Sequence, residues 1–256
     1  SSSRVRAARS LFISLEIWSG MFPDVVILAG GLGKRLQSIT GGSQKVLAKI
    51  GDRPFLEILI DYIASQGGRR FILCVGHGSG DVAAYFKNKY RDREIIFSVE
   101  DSPLGTGGAI KQGSQHVRTD RFLAMNGDCF CVIDYLRLTA FHQQHSARAT
   151  LAVTLMPEPQ DYGTIEISPT GAIEAFKEKQ LGAGAAFINT GTYCFDRDVF
   201  SLVATPSKFS IEYDFFPHLV GKGFYAFEVE NRFVDIGTPE RYSWAQEHLE
   251  TLRRKR

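Results

Sequence analysis

From Asp24 to Leu155, short apolar runs alternate with stretches whose apolar residues recur at helical spacing. The runs at 24–29, 71–75, 95–99, 122–125 and 149–155 predict strands; the stretches at 54–66, 81–90, 107–117 and 134–145 predict helices. In 54–66, Phe55, Leu59, Tyr62 and Ile63 fall on one side. Strands separated by helices of this length imply right-handed βαβ units and a mainly parallel sheet. After Pro157 the rhythm changes. Runs at 163–167, 172–176 and 185–195 are split by turns such as Pro169-Thr170-Gly171, with no helix between them. Helical patterns return at 196–203 and 212–220, and strands follow at 225–229 and 233–235. Thr238 is placed to cap a closing helix over 239–253. This pattern predicts an α/β fold with a mostly parallel central sheet and a small β-rich lobe.

Composition narrows the class. The chain has 256 residues, 44% hydrophobic and 23% charged, which suits one sizeable globular domain over 23–256. A net charge of +2 argues against nucleic acid or a membrane surface as partner, so any basic site is local. No run approaches the length of a membrane-spanning helix. Cys74, Cys129, Cys131 and Cys194 fit neither a disulfide framework nor a zinc site, and read as small hydrophobes in a reducing, cytoplasmic setting. His142 and His145 lie three apart on a helix without metal-binding companions and are expected on its exposed surface. Residues 1–22 read as a poorly ordered extension; Glu16 interrupts their short apolar run, which argues against a signal peptide.

The chemistry begins at "VVILAGGLGKRLQSI", where a buried strand ends on glycines and two cations follow. Gly30, Gly31 and Gly33 stand just past a strand's carboxyl end, where open α/β sheets bind ligands. Backbone amides there can cradle phosphate, with Lys34 and Arg35 adding charge. A Walker loop is excluded because Arg35 follows Lys34. A dinucleotide fingerprint lacks its third glycine at Leu36, although Asp52 sits at a suitable distance for its acid. A plain strand-to-helix turn with two solvated cations accounts for the loop equally well.

Lys45, in "SQKVLAKIGDRPFLEILI", shifts that balance. Together, the loop, this lysine and the Gly51–Pro54 tail resemble the signature of the sugar-1-phosphate nucleotidylyltransferases: A-G-G-x-G-T-R-L, then P-K-P-L or P-K-V-L, then G-x-P. The resemblance runs from Asp24 to about Leu249. Lys34 stands where the family has Thr or Ser, Gln44 where it has Pro, and Val46 where Pro is common. The resemblance implies a Rossmann-like three-layer sandwich, with nucleotide contacts from Leu28, Ala29, Gly30, Gly31, Gly33 and Lys34. It also implies that Arg35 takes the departing phosphates and that Lys45 lies by the α-phosphate.

"FLAMNGDCF" and "NRFVDIGTPERY" place Asp128 and Asp235 at two distant strand ends. Taken singly, each suits a turn or cap. Taken with the loop, and with the family's metal aspartates in similar contexts, the pair is assigned to Mg²⁺, which favours oxygen ligands completed by substrate phosphates. The resemblance further implies sugar contacts at Tyr162, Gly163, Glu178, Asn189 and Thr190, and a lysine for the sugar phosphate at Lys179. Gln180 replaces the family's proline beside it, and alternation turns Lys177 away from Glu178.

"SVEDSPLGTGGAI" is similar to the family's nucleobase loop, with Gly105, Thr106 and Gly107 bringing backbone against a flat ring. Glu100 can accept from the N1–H and N2–H₂ donors of guanine, whereas uracil and thymine offer one N–H. That favours GTP. Within the family, the pattern most resembles guanylyltransferases acting on D-glycero-α-D-manno-heptose 1-phosphate. The uridylyltransferases of N-acetylmuramate 1-phosphate are close neighbours, and a non-catalytic nucleotide-sugar sensor is the alternative of another class. The expected partners are therefore an NTP and a sugar 1-phosphate, with a homo-oligomer left open. Residues 23–156 would take the nucleotide and 157–235 the sugar.

Overall fold

The computed structural model describes residues 21–31, 34–36, 44–76, 80–87, 90, 92–159, 162–177, 184–230 and 232–254, with backbone alone at 34, 87, 253 and 254. Its centre is a nine-stranded sheet. β1 (Asp24–Leu28) lies between β4 (Arg70–Val75) and β6 (Arg121–Asn126), parallel to both, and β5 (Glu94–Val99) extends the parallel set beyond β4. Side chains of β1 alternate faces: Val25 and Ile27 enter one core cluster and Val26 the other. Helices cover both faces. α1 (Phe55–Ser65) and α6 (Pro239–Arg254) pack on the Val25 side, and α3 (Gly105–Ser114) on the Val26 side. The two layers of helix and one of sheet are the expected sandwich.

Beyond β6 the sheet continues antiparallel. β11 (Ala186–Asp196) pairs with β6 through its second half, with β9 (Thr164–Ile167) through its first half, and with β8 (Ala149–Met156) on either side of a bulge. β10 (Ile173–Lys177) completes one branch against β9, and β12 (Phe224–Val229) the other, parallel to β8. The β-rich portion therefore grows out of the central sheet and shares its hydrogen bonding.

Local signals explain several boundaries. Asp134 caps α4 (Tyr135–Gln144) by accepting from the Arg137 N–H at 2.9 Å. α2 (Gly80–Lys87) links β4 to β5. A hairpin of β2 (Lys49–Ile50) and β3 (Arg53–Pro54) turns at Gly51, where φ is +58°. The closing helix clamps that hairpin: Gln246 accepts from the Gly51 N–H at 3.0 Å and donates to the Lys49 carbonyl at 2.6 Å.

Some expectations change. The helix predicted over 196–203 is a single 3₁₀ turn, Val199–Ser201, because Pro206 follows closely and prevents continuation. The one predicted over 212–220 starts as a wide π turn, Ile211–Phe215, and tightens into the short α5 (Phe216–Leu219); Pro217 has no N–H to keep one register. Short strands β7 (Cys129–Cys131) and β13 (Phe233–Asp235) pair antiparallel, a contact outside the periodic signal. His142 is not on the surface. It is 1% exposed, bonded to Thr150 at 2.8 Å and to Asp196 at 3.2 Å, a polar pair carried inside by α4. Asp52 sits exposed in the turn between β2 and β3. Of the extension, 1–20 lies outside the described residues, and Phe22 packs edge-on against Tyr135.

Candidate active site

A cavity of about 440 Å³ opens at the carboxyl end of the parallel strands. Leu28, Gly30 and Gly31 form one wall, Lys45, Asn126 and Asp128 another, and Glu100, Gly105 and Thr106 a third. The glycine turn is tight for a reason. A Cβ on Gly30 would lie 2.9 Å from the Gly76 nitrogen, whereas one on Gly31 would meet open space. Ala29 is fully buried, its N–H donating to the Cys74 carbonyl, so only its neighbours face the cavity. Arg35 is exposed on the 3₁₀ turn Lys34–Leu36 and lies outside the cavity lining. Gly33 and the Lys34 side chain lie outside the described residues.

The nucleobase loop is organised from within. Glu100 accepts from the Leu104 N–H at 2.8 Å, so one carboxylate oxygen holds the loop while the residue still lines the cavity. Gly107 departs from its expected place against a ring: its N–H donates to the Phe209 carbonyl at 3.0 Å, and a Cβ there would meet the Phe209 side chain at 2.1 Å. Gly105 and Thr106 remain on the cavity wall.

The two aspartates converge through the β7–β13 ribbon. Asp235 pairs opposite Cys129, and the Ile236 N–H donates to the Asp128 carbonyl at 3.0 Å. Asp128 accepts from Lys45 Nζ at 2.5 Å. Asp235, 9% exposed, accepts from the Tyr162 hydroxyl, from the Gly237 N–H at 2.8 Å and from Arg241 at 3.1 Å. The Cys129 thiol is pushed well up by burial first, and then by the charges of Asp128 and Asp235. The ribbon thus brings the backbones of the two aspartates together, and hard carboxylates at neighbouring positions suit a divalent cation that takes its remaining ligands from substrate oxygens. Among the described residues no cluster of three His, Cys, Asp or Glu side chains forms a self-sufficient metal site.

On the sugar side the expectations divide. Tyr162 faces Asp235, and the Arg241 guanidinium lies 4.7 Å over its ring. Gly163 is close to the Lys177 carbonyl, and Lys177 pairs with Glu166. Thr190 is fully buried, with its hydroxyl donating to the Ala152 carbonyl at 2.9 Å, so it serves the sheet interior. Asn189 donates to Glu212 at 2.9 Å and to the Tyr193 hydroxyl at 3.0 Å. Glu178 and Lys179 lie outside the described residues. Sequence reasoning passed over Glu212 and Arg241. Glu212 is an acid at the mouth of an apolar run, "FSIEYDFF", which reads locally as a helix start. Burial raises its carboxyl pKa; the Asn189 hydrogen bond opposes this and the Asp128 charge adds to it.

Comparison with known proteins agrees with this architecture. The Nucleotidyl transferase family matches residues 24–251. The D-glycero-alpha-D-manno-heptose 1-phosphate guanylyltransferase of Aneurinibacillus thermoaerophilus is 36% identical over 228 residues, 89% of this chain and 98% of that protein. The protein of the same name from Campylobacter jejuni is 35% identical over 219 residues, 86% of this chain and 96% of that one. The crystal structure of HddC from Yersinia pseudotuberculosis complexed with GMP-PN superposes with a TM-score of 0.77 at 33% identity, covering 89% of this chain and 99% of that chain.

Proposed function

The chain belongs to the nucleotidyl transferase family, and we propose that it transfers GMP from GTP to D-glycero-α-D-manno-heptose 1-phosphate, giving a GDP-sugar and pyrophosphate. The single observation that carries this is the meeting of the Gly30–Gly31 turn, Lys45 and Asp128 on one cavity, with Asp235 tied to Asp128 through the ribbon. Relatives over nearly the full length, acting by name on that heptose phosphate, support the choice of substrate.

In this reaction a sugar-phosphate oxygen attacks the α-phosphorus of GTP. A new P–O bond forms, the bond to the β-phosphate's bridging oxygen breaks, and pyrophosphate leaves with that electron pair. The nucleophile is already anionic, so no general base is needed; the protein aligns the groups and neutralises charge. The Gly30–Gly31 turn brings backbone to the phosphates, and Lys45 sits beside Asp128 where the α-phosphate would lie. By their place in the family's motifs, Arg35 and Lys34 are assigned to the outer phosphates and Lys179 to the incoming one. Asp128 and Asp235 would hold Mg²⁺, which when bound neutralises triphosphate charge. Glu100, Gly105 and Thr106 receive guanine; Tyr162 and Gly163, with Glu178 by its place in the motif, are assigned to the sugar. The division into nucleotide (23–156) and sugar (157–235) parts belongs to the same reading, as does a cytoplasmic location, where GTP is supplied and the free cysteines stay reduced.

The test crosses four NTPs with several sugar 1-phosphates and scores pyrophosphate release. GTP with the heptose phosphate is expected to give the highest kcat/KM. Preference for UTP with N-acetylmuramate 1-phosphate, or nucleotide-sugar binding without pyrophosphate, would overturn the assignment.

A further inference from the structure

The segment before α5 crosses from the base loop to the sugar side. The Phe209 carbonyl accepts from Gly107 and Gly108, and the Ile211 N–H donates to the Thr106 hydroxyl at 3.0 Å. Thr106 lines the cavity and holds Ile211, so Glu212, the residue after Ile211, is anchored beside a lining side chain, and the charge of the cavity residue Asp128 reaches its carboxyl. From the other direction, β11 reaches the same wall. Gly191, at φ +72°, lies so close to Asn126 that a Cβ would be 2.7 Å from the amide nitrogen, and Asn126 is a cavity residue.

Asn189 was expected to hold the sugar, yet its amide is committed. Both N–H donors are taken, by Glu212 Oε1 and by Tyr193, and its carbonyl oxygen accepts from the Gly191 N–H at 2.7 Å. What Asn189 does is orient a carboxylate. The second oxygen of Glu212, Oε2, has no hydrogen-bond partner among the described residues, although the side chain is partly buried. An ionised carboxylate only accepts, and a sugar ring offers hydroxyl donors of fixed configuration.

We propose that Glu212 selects the sugar, its Oε2 accepting a hydrogen bond from one ring hydroxyl while Asn189 holds Oε1. This rests on the function proposed above and names a residue that decides which sugar phosphate is accepted. A buried acceptor built for one hydroxyl discriminates strongly against sugars that lack it, because it is then left unpaired.

The experiment measures pyrophosphate release from GTP with α-mannose 1-phosphate, which shares the ring configuration of the heptose, and with its singly deoxygenated analogues. Glu212→Ala is expected to raise the KM for the sugar phosphate about 10- to 100-fold, the range for a hydrogen bond to a charged group. The KM for GTP should stay unchanged. One deoxy analogue should be poor for the wild type, and its penalty should vanish in Glu212→Ala. Glu212→Gln keeps the shape and the bond to Asn189, so it serves if the alanine variant fails to fold, and it should lose sugar affinity while binding GTP normally. An unchanged sugar KM, an equal rise in the GTP KM, or undiminished sensitivity to every deoxygenation would overturn the proposal. A wild-type protein that turns over no NTP and sugar-phosphate pair would overturn the functional reading and this inference together; an active wild type with unaltered Glu212 variants would overturn this inference alone.

Discussion

Lys45 and Asp128 form an ion pair at 2.5 Å, with the lysine 13% and the aspartate 33% exposed. The lysine comes from the 3₁₀ turn Lys45–Leu47 beside the glycine wall, and the aspartate from the turn after β6. Their contact sets a cation and an anion side by side where a triphosphate and its counter-ion would compete for both. Charge alignment at this one place is the core of the proposed chemistry.

Asp128→Asn removes the anion and keeps the size of the side chain. The backbone bond from Ile236 to residue 128 persists, so circular dichroism and Tm should stay close to wild type. Pyrophosphate release should fall by at least about 100-fold, the usual cost of deleting a preorganised electrostatic contact. Near-normal release would remove Asp128 from the reaction.

Arg241→Met tests how Asp235 is held. The substitution leaves a carboxylate of 9% exposure without its guanidinium and uncovers the Tyr162 ring. A loss of about 1–3 kcal/mol in urea unfolding is expected. Added Mg²⁺ should recover part of that loss, because a divalent ion can supply the missing positive charge. Recovery no greater than that given by Na⁺ at matched ionic strength would argue against Asp235 as a metal ligand.

Gly105→Ala addresses the base loop. Its φ is +74°, and an added Cβ would lie 2.6 Å from the Phe209 carbonyl oxygen, so strain and a backbone clash coincide. The KM for GTP should rise while the KM for the sugar phosphate changes little. Equal effects on both substrates would mean that the loop is not dedicated to the nucleotide.

The cysteines give a pH-dependent test of packing. Burial pushes the Cys131 thiol up to about 12, and raises Cys74, Cys129 and Cys194 as well. Raised thiol pKa values leave little thiolate at about pH 8, and alkylation needs the thiolate. Native protein should therefore resist iodoacetamide at that pH, label faster as pH rises, and react at all four cysteines once unfolded in urea. Rapid labelling of a single native cysteine would place that thiol outside the core.

The readable parts of this molecule are those whose cause is local. The apolar run at β1, the helical spacing of Phe55, Leu59 and Ile63, and the glycines that end β1 act within a few residues, so their pattern identifies strand, helix and tight turn. His142 misled because a polar residue on an amphipathic helix reads as surface, and only its distant partners Thr150 and Asp196 allow burial. Thr190 misled in the opposite direction, since nothing nearby in the chain announces the Ala152 carbonyl that takes its hydroxyl.

By itself, the amino-acid sequence determined the alternation of strands and helices, the glycine turn, and the kinds of side chain available for phosphate, cation and sugar. Tertiary structure alone decided which of them meet. Strands β7 and β13 are three residues each, too short for their pattern to name a partner, and their pairing brings Asp235 to Asp128 from a distant part of the chain. Likewise, only packing of the Phe209–Ile211 segment on the base loop brings the glutamate that follows it to Asn189 of a distant strand. Contacts of that kind follow from the closed shape, in which distant backbone groups must satisfy one another, and leave no mark on the local pattern of residues.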